Sequence, residues 1–365
     1  MMKTLYRYEL KKLLSQKILW IAAGIMLLLL LAVGATNLLT GNASKATPYK
    51  QISGRAIDDM LIEEMQDAVN AKQDGAYRII HSFVAYCMGR EDYGTVDATQ
   101  VYAARTASNE KELEKSNLSE AEKDYWNKKE ARVSKPFVYQ YEEGYAGLFT
   151  TIYVANYMLL LLIAIGASGI FADEKNLGID QIIFCSAEKD TLFKAKVLAG
   201  LTLGLGASLL LFGVISMISF GTYGFDGFDA PLQIRITGCM MNLSIGQADL
   251  ILLGLFVAVG LLYSIIAMFL SQISGNHAAV TAVMVVMLFL SMLNVPEKFR
   301  VISQIWSYLP GAFIGSWTFT EYRLVHLFGQ YFNDLQVAPA AWLLVGIVLL
   351  LFAKTSYRRY QVLGK

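Results

Sequence analysis

Charge is scarce in this chain and missing from long stretches of it. Of 365 residues, 17% are Asp, Glu, Lys or Arg and 55% are hydrophobic, with a mean hydropathy of +0.43. A soluble domain carries about 25% charged residues and about 45–50% apolar ones. Residues 18–44, 144–172, 197–225, 250–296 and 335–353 contain no charged side chain at all. Five such blocks exclude a set of buried core helices in a soluble protein. A helix needs about 20 largely apolar residues to cross roughly 30 Å of hydrocarbon. Four blocks hold one crossing each, and 250–296 holds two, divided by the polar run 271–277. The expectation is six crossings.

Other absences narrow the chemistry. Three cysteines, Cys87, Cys185 and Cys239, make no disulfide framework. Cys87 and Cys239 fall on one expected side and could pair, although two free thiols is the favoured reading. The histidines His81, His277 and His326 are far apart, without zinc-ligand spacing. No Gly-x-x-x-x-Gly-Lys-[Ser/Thr] loop is present to cradle nucleotide phosphates, and neither His-Glu-x-x-His nor Gly-x-Ser-x-Gly occurs. No dense basic and aromatic stretch points to nucleic acid. The expectation is a chain with no catalytic, metal or cofactor site of its own.

The spans themselves hold no ionisable residue unless His277, at a boundary, is counted. Ion- and proton-coupled carriers keep charges there because function requires them, so that class is excluded and any driving energy must come from another subunit. The polar residues inside the blocks are Asn156, Tyr157, Tyr263 and Ser264, read either as interhelical hydrogen-bonding groups or as a candidate substrate path. Gly200 and Gly204 form a GxxxG pattern, continued by Gly206 and Ala207, and Ala164 and Ser168 repeat the small-residue spacing. Such patches let helices approach closely, within one chain or between two.

What charge there is sets an orientation. Residues 1–17 carry Lys3, Arg7, Lys11, Lys12 and Lys17 against Glu9, and the tail 354–365 carries Lys354, Arg358, Arg359 and Lys365 without an acid. Basic residues at span ends mark the cytoplasmic side, so both termini are expected inside, which needs an even number of crossings. Tyr6, Leu10, Leu13 and Leu14 fall at helical spacing beside Lys3, Arg7 and Lys11. This predicts an amphipathic helix lying on the inner membrane surface. A cleaved leader is the competing reading of 18–31, but 17 residues are long for what precedes it. The first crossing is expected over 18–40. Residues 301–320 are also uncharged, but Pro310, Gly311, Gly315 and the aromatics Trp306, Tyr308 and Trp317 predict an outer re-entrant or interfacial segment rather than a seventh crossing.

Residues 41–146 differ in composition. Between 45 and 143 lie 18 acids and 14 bases. Ile57, Met60, Leu61, Met65 and Ala68 recur at helical spacing, and Ser119 followed by Glu122 makes a capping box. A small, mostly helical outer domain is expected, its charges a solvated surface or a docking face. The fold class is an all-α polytopic membrane protein: an N-terminal amphipathic helix, six transmembrane helices, and a helical extracytoplasmic domain between the first and second spans. Residues 147–365 hold spans two to six.

This order of parts resembles the membrane (permease) subunit of type 2 ABC exporters. The most specific match is to that family's cytoplasmic coupling segment, where its ATPase docks; here the segment is expected over 173–196, and the matching motif runs from Phe171-Ala-Asp-Glu174 through Gly178 to Ser186. That family tends to show an acid at the end of the second span, glycine four residues on, an apolar helical stretch, Ser or Thr, and a basic helix entering the third span. Glu174, Gly178, Ile182, Ile183, Ser186, Lys194 and Lys196 occupy those places, with Ile179 on the same apolar side. Cys185, Ala187 and Glu188 depart from the family's Thr-Pro or Ser-Pro followed by Arg. The likeness covers nearly the whole chain by topology but only about 25 residues by motif. It implies an exporter subunit in a plasma membrane, bacterial by this pattern, working beside a second permease chain. Two copies of a separate ATPase subunit would hold ATP and Mg. Amphiphilic peptides, lipids or hydrophobic drugs suit an uncharged path. The rival reading is a non-transporting sensor or scaffold.

Overall fold

Hydrophobic length and local capping sort the helices into two kinds. The computed structural model describes residues 2–41, 44, 46–90, 94–178, 189–293, 295–296 and 298–359. Helix α1 (Met2–Leu14) turns at residues 15–16 into α2 (Lys17–Leu39). Four short helices follow: α3 (Asp59–Asn70), α4 (Arg78–Met88), α5 (Ala98–Lys115) and α6 (Glu120–Glu130). Then come α7 (Glu143–Ala167), α8 (Gly169–Asn176), α9 (Lys189–Tyr223), α10 (Ile245–Ser274) and α11 (His277–Leu290). Helix α12 (Arg300–Ser307), the antiparallel hairpin β1 (Leu324–Leu327) and β2 (Gln330–Asn333), and α13 (Asp334–Arg359) complete the fold. The fold is mostly helical, with one short hairpin.

Among the described residues, five helical runs are long and apolar enough to cross a membrane: α2, α7 with α8, α9, α10 and α13. Helix α11 is apolar but has 14 residues, about 21 Å at 1.5 Å per residue. Gly275, with φ of 64°, ends α10, and Asn276 caps α11 through its side chain, so the polar run at 271–277 is a tight reversal. The α1–α2 elbow, α8, the start of α9, this reversal and the end of α13 all lie at one end of the bundle. There Arg358 Nε donates to Asp190 at 2.7 Å, and Phe171, Phe193 and Tyr357 pack as one aromatic group.

Small residues set the closest helix contacts. A Cβ on Gly204 would stand 2.3 Å from Ser264 Oγ and 2.9 Å from the Gly260 carbonyl, and one on Gly200 would stand 2.4 Å from Met268 Sδ. The GxxxG face is therefore a seam between α9 and α10 of one chain. Ala164 and Ser168 are fully buried, and Thr281 of α11 reaches the Ala164 carbonyl at 3.5 Å. Between α7 and α8 the helix is interrupted at Ser168, and the Ser271 hydroxyl accepts from the Phe171 and Ala172 amides at 3.0 and 2.9 Å. A side chain inserted into the helical ladder is a standard cause of such a kink.

The insert between α2 and α7 has its own core, with Ile57, Leu61, Met65, Phe83, Val84, Val101, Phe137 and Tyr139 at its centre. The capping box is present: the Ser119 amide donates to Glu122 at 2.8 Å and the Glu122 amide to Ser119 Oγ at 3.4 Å. Met60, placed on the expected apolar face, is exposed instead, because α3 buries only a narrow stripe through Leu61, Ile62 and Met65. Cys87 and Cys239 are free and buried. Burial pushes their thiols up to about 12 and about 11, which leaves them unreactive.

The insert is not a detached module. Arg105, buried on α5, donates from Nε to the Thr237 carbonyl at 3.0 Å and from Nη2 to the Cys239 carbonyl at 2.9 Å, and pairs with Glu130. Trp126 Nε1 donates to the Tyr322 carbonyl at 2.6 Å, and the Tyr322 hydroxyl to the Gly238 carbonyl at 2.7 Å. Arg300 pairs with Glu122. Burial opposes the ionised Glu122 carboxylate, but the Ser119 amide and Arg300 hold it below the ordinary range. The loops before α10 and before α13 thus form one body with the insert.

Residues 301–320 are broken, as expected, and divide into two parts. Helix α12 leaves Val301, Ile302 and Ile305 exposed. The chain then turns into the bundle, burying Phe313 and Ile314, and Trp342 of α13 donates to the Tyr308 carbonyl at 2.8 Å. Gly311 permits this close approach: a Cβ there would meet Ser291 Oγ at 1.8 Å and Ser291 Cβ at 2.9 Å. Gly311→Val is expected to cost about 1–3 kcal/mol by overpacking, read as a lowered melting temperature of the detergent-purified chain, with Gly206→Val, which faces open space, as the mild comparison.

Candidate functional site at the terminal end of the bundle

An amphipathic helix should bury its apolar stripe, and in α1 that stripe contains an acid. Tyr6, Glu9, Leu10 and Leu13 share one face, with Glu9 and Leu13 buried and Lys3, Arg7 and Lys11 exposed. The face packs on α9 rather than lying free: Tyr6 Oη and Thr202 Oγ1 are 3.0 Å apart. The partner of Glu9 is Lys196, in the second turn of α9 and fully buried.

Lys196 joins three elements. Its ammonium lies 3.3 Å from Glu9 Oε2 on α1, pairs with Glu174 on α8, and donates to the Ile170 carbonyl at 2.9 Å. It stands 5.4 Å from the centroid of the Phe171 ring, within cation–π range. Lys12 of α1 adds a second cation, 3.0 Å from Glu174 and 3.9 Å from Glu9. Burial works against the Lys12 charge, but Glu174 and Glu9 hold its pKa above the usual lysine value. Two acids and two bases compensate one another, which is the condition under which charges persist away from water.

The expected coupling residues fall around this cluster. Glu174 is buried and paired with Lys12 and Lys196 at the stem of the segment. Gly178 follows α8 with φ of 67°, a left-handed conformation that favours glycine at a helix C-terminus. Ile179, Ile182, Ile183 and Ser186 lie outside the described residues. On the other side of α8, His277 Nδ1 lies 2.9 Å from Asp173 Oδ1, and Lys175 donates to the Gln272 carbonyl. Helix α8 is thereby tied to α1, α9, α10 and α11 at once.

The polar residues of the blocks make local hydrogen bonds. Asn156 is fully buried and donates to the Pro310 carbonyl at 3.0 Å, while the buried Tyr263 hydroxyl donates to the Met284 carbonyl. Asn156 ties its helix to the turn at Pro310, and Tyr263 ties α10 to α11. Tyr157 donates to Tyr153 Oη at 3.1 Å and is partly exposed. Just outside the uncharged blocks, α9 buries Lys196 and α10 buries Asp249. These helices extend beyond the uncharged blocks, so residues counted as flanks became interior. The acid on the α1 stripe was the available signal for the cluster.

Comparison with family models, with curated proteins and with solved structures finds no match for this chain.

Proposed function

We propose that this chain is the permease subunit of an ATP-driven exporter of the type 2 ABC kind, forming the membrane path while a separate ATPase subunit supplies energy. The observation that carries the reading is the clasp of Glu174 and Lys196. These residues stand on the two stems of segment 179–188 and are joined to each other and to Glu9 of α1. A force applied to that segment is transmitted into α7 through α8 and into α9 directly, as a coupling element requires. In this reading both termini are cytoplasmic and α11 is the fifth of six crossings. Its deficit in length is made up by the re-entrant turn around Pro310, which protein covers on several sides. The insert and its two loops form the outer body.

The test leaves the clasp intact. Residues 179–186 are replaced by a Gly/Ser linker in the full chain, and co-purifying P-loop ATPase is measured together with transport by inverted vesicles. The expected result is loss of the ATPase and at least a tenfold loss of transport, with the chain still inserted. No ATPase bound to the unaltered chain would favour the sensor or scaffold reading, and binding and transport that survive the replacement would overturn the coupling role.

A further inference from the structure

A groove of about 1110 Å³ opens on the side of the bundle between the α1–α2 elbow and α11. Its long wall is apolar, with Ile18, Ile165, Ala282, Val285 and Val286, and its end nearest the termini is polar, with Lys17, Asn176 and Asn276. Volumes of roughly 300–1,000 Å³ are typical of small-molecule sites, so the groove has room for a long ligand. Since α2 and α11 flank it, its apolar length faces hydrocarbon, where an unfilled channel would forfeit dispersion contacts along both walls.

The charge at the polar end selects the occupant. Asp173, the one acid among the lining residues, is already engaged by His277 at 2.9 Å. Lys17 is exposed and makes no ion pair among the described residues. A helix from a second copy would bring one of the uncharged blocks and leave Lys17 without a counter-charge. A lipid with an anionic headgroup fills both parts.

We propose that the groove between the α1–α2 elbow and α11 binds an anionic glycerophospholipid of the leaflet nearest the termini, its phosphate on Lys17 and the amides of Asn176 and Asn276, and one acyl chain along Ile18, Ala282 and Val286. This is independent of the exporter reading and requires only that the helices cross a membrane. One basic residue near an anionic surface corresponds to about a fivefold preference.

Full-length chain is extracted from vesicles of equal parts phosphatidylglycerol and phosphatidylcholine, and retained lipid is counted by native mass spectrometry. The wild type is expected to retain phosphatidylglycerol about fivefold over phosphatidylcholine. Lys17→Gln is expected to abolish the preference, Ala282→Trp to displace the lipid, and Lys3→Gln, outside the groove, to change neither. Equal retention of both lipids by the wild type, or a preference that survives Lys17→Gln, overturns the site. So does an Ala282→Trp chain that keeps its lipid but loses self-association, which would assign the groove to a second copy.

Discussion

Lys196→Met is expected to lower the unfolding free energy of the detergent-purified chain by about 3–5 kcal/mol, the usual penalty for removing one partner from a buried ion pair. Glu9 and Glu174 are each less than a tenth exposed, so without the Lys196 ammonium two carboxylates share a pocket with one cation. Lys12 cannot replace the missing charge: its side chain is 28% exposed and stands 3.9 Å from Glu9. The loss should be largely recovered by Lys196→Met combined with Glu9→Gln and Glu174→Gln, because a neutral, well-packed replacement of a buried ion cluster is often tolerated. Thermal or denaturant melting distinguishes the cases. A single Lys196→Met variant that melts like the parent would mean that the cluster contributes nothing to the joining of α1, α8 and α9.

Arg105→Met is expected to have an effect of similar size at the opposite end. The guanidinium is fully buried and reaches two carbonyls, of Thr237 and Cys239, and the Glu130 carboxylate. Each acceptor left unsatisfied costs about 1–3 kcal/mol, and the planar fork of arginine meets three acceptors at angles that a lysine ammonium cannot. Arg105→Lys should therefore rescue only in part. The readout is twofold: a lower melting temperature, and faster proteolysis within α5 and α6 as the insert separates from the loop before α10. Lys115→Ala on the same helix breaks a pair whose side chains are 59% and 45% exposed and should leave both readouts unchanged, since exposed pairs contribute little. Equal proteolysis of Arg105→Met and the parent would refute the anchoring role.

The legible parts of this fold were those encoded by neighbours along the chain. The capping box at Ser119–Glu122 was readable because both partners lie within one turn. The uncharged blocks marked the five long apolar helices, because the absence of charge over 20 residues is a local property. The break within 301–320 followed from Pro310 and Gly311. The buried cluster was not readable in the same way. Glu9 entered the sequence reading only as the acid among five bases, and Lys196, one position before an uncharged block, only as part of a basic helix entry. Its burial depends on α9 extending back to Lys189 and on α1 folding across it. The backbone groups that Asn156 and Tyr263 bond belong to Pro310 and Met284, outside the reach of local sequence patterns.

By itself the sequence determined the class: a helical chain with uncharged runs greasy enough for a bilayer, a charged insert after the first of them, and basic ends; against its expectation of six crossings, five helices among the described residues have the length. These follow from composition and from interactions between residues a turn or less apart. Tertiary structure alone decided which charges are interior, that the glycine seam joins α9 to α10 within the chain, that the insert is fastened through Arg105 to loops more than a hundred residues away, and that α11 stops short beside an inward turn. Those outcomes rest on the three-dimensional pairing of groups distant in sequence, and burial makes each pairing obligatory, since a charge or carbonyl withdrawn from water must find its partner wherever the fold supplies one.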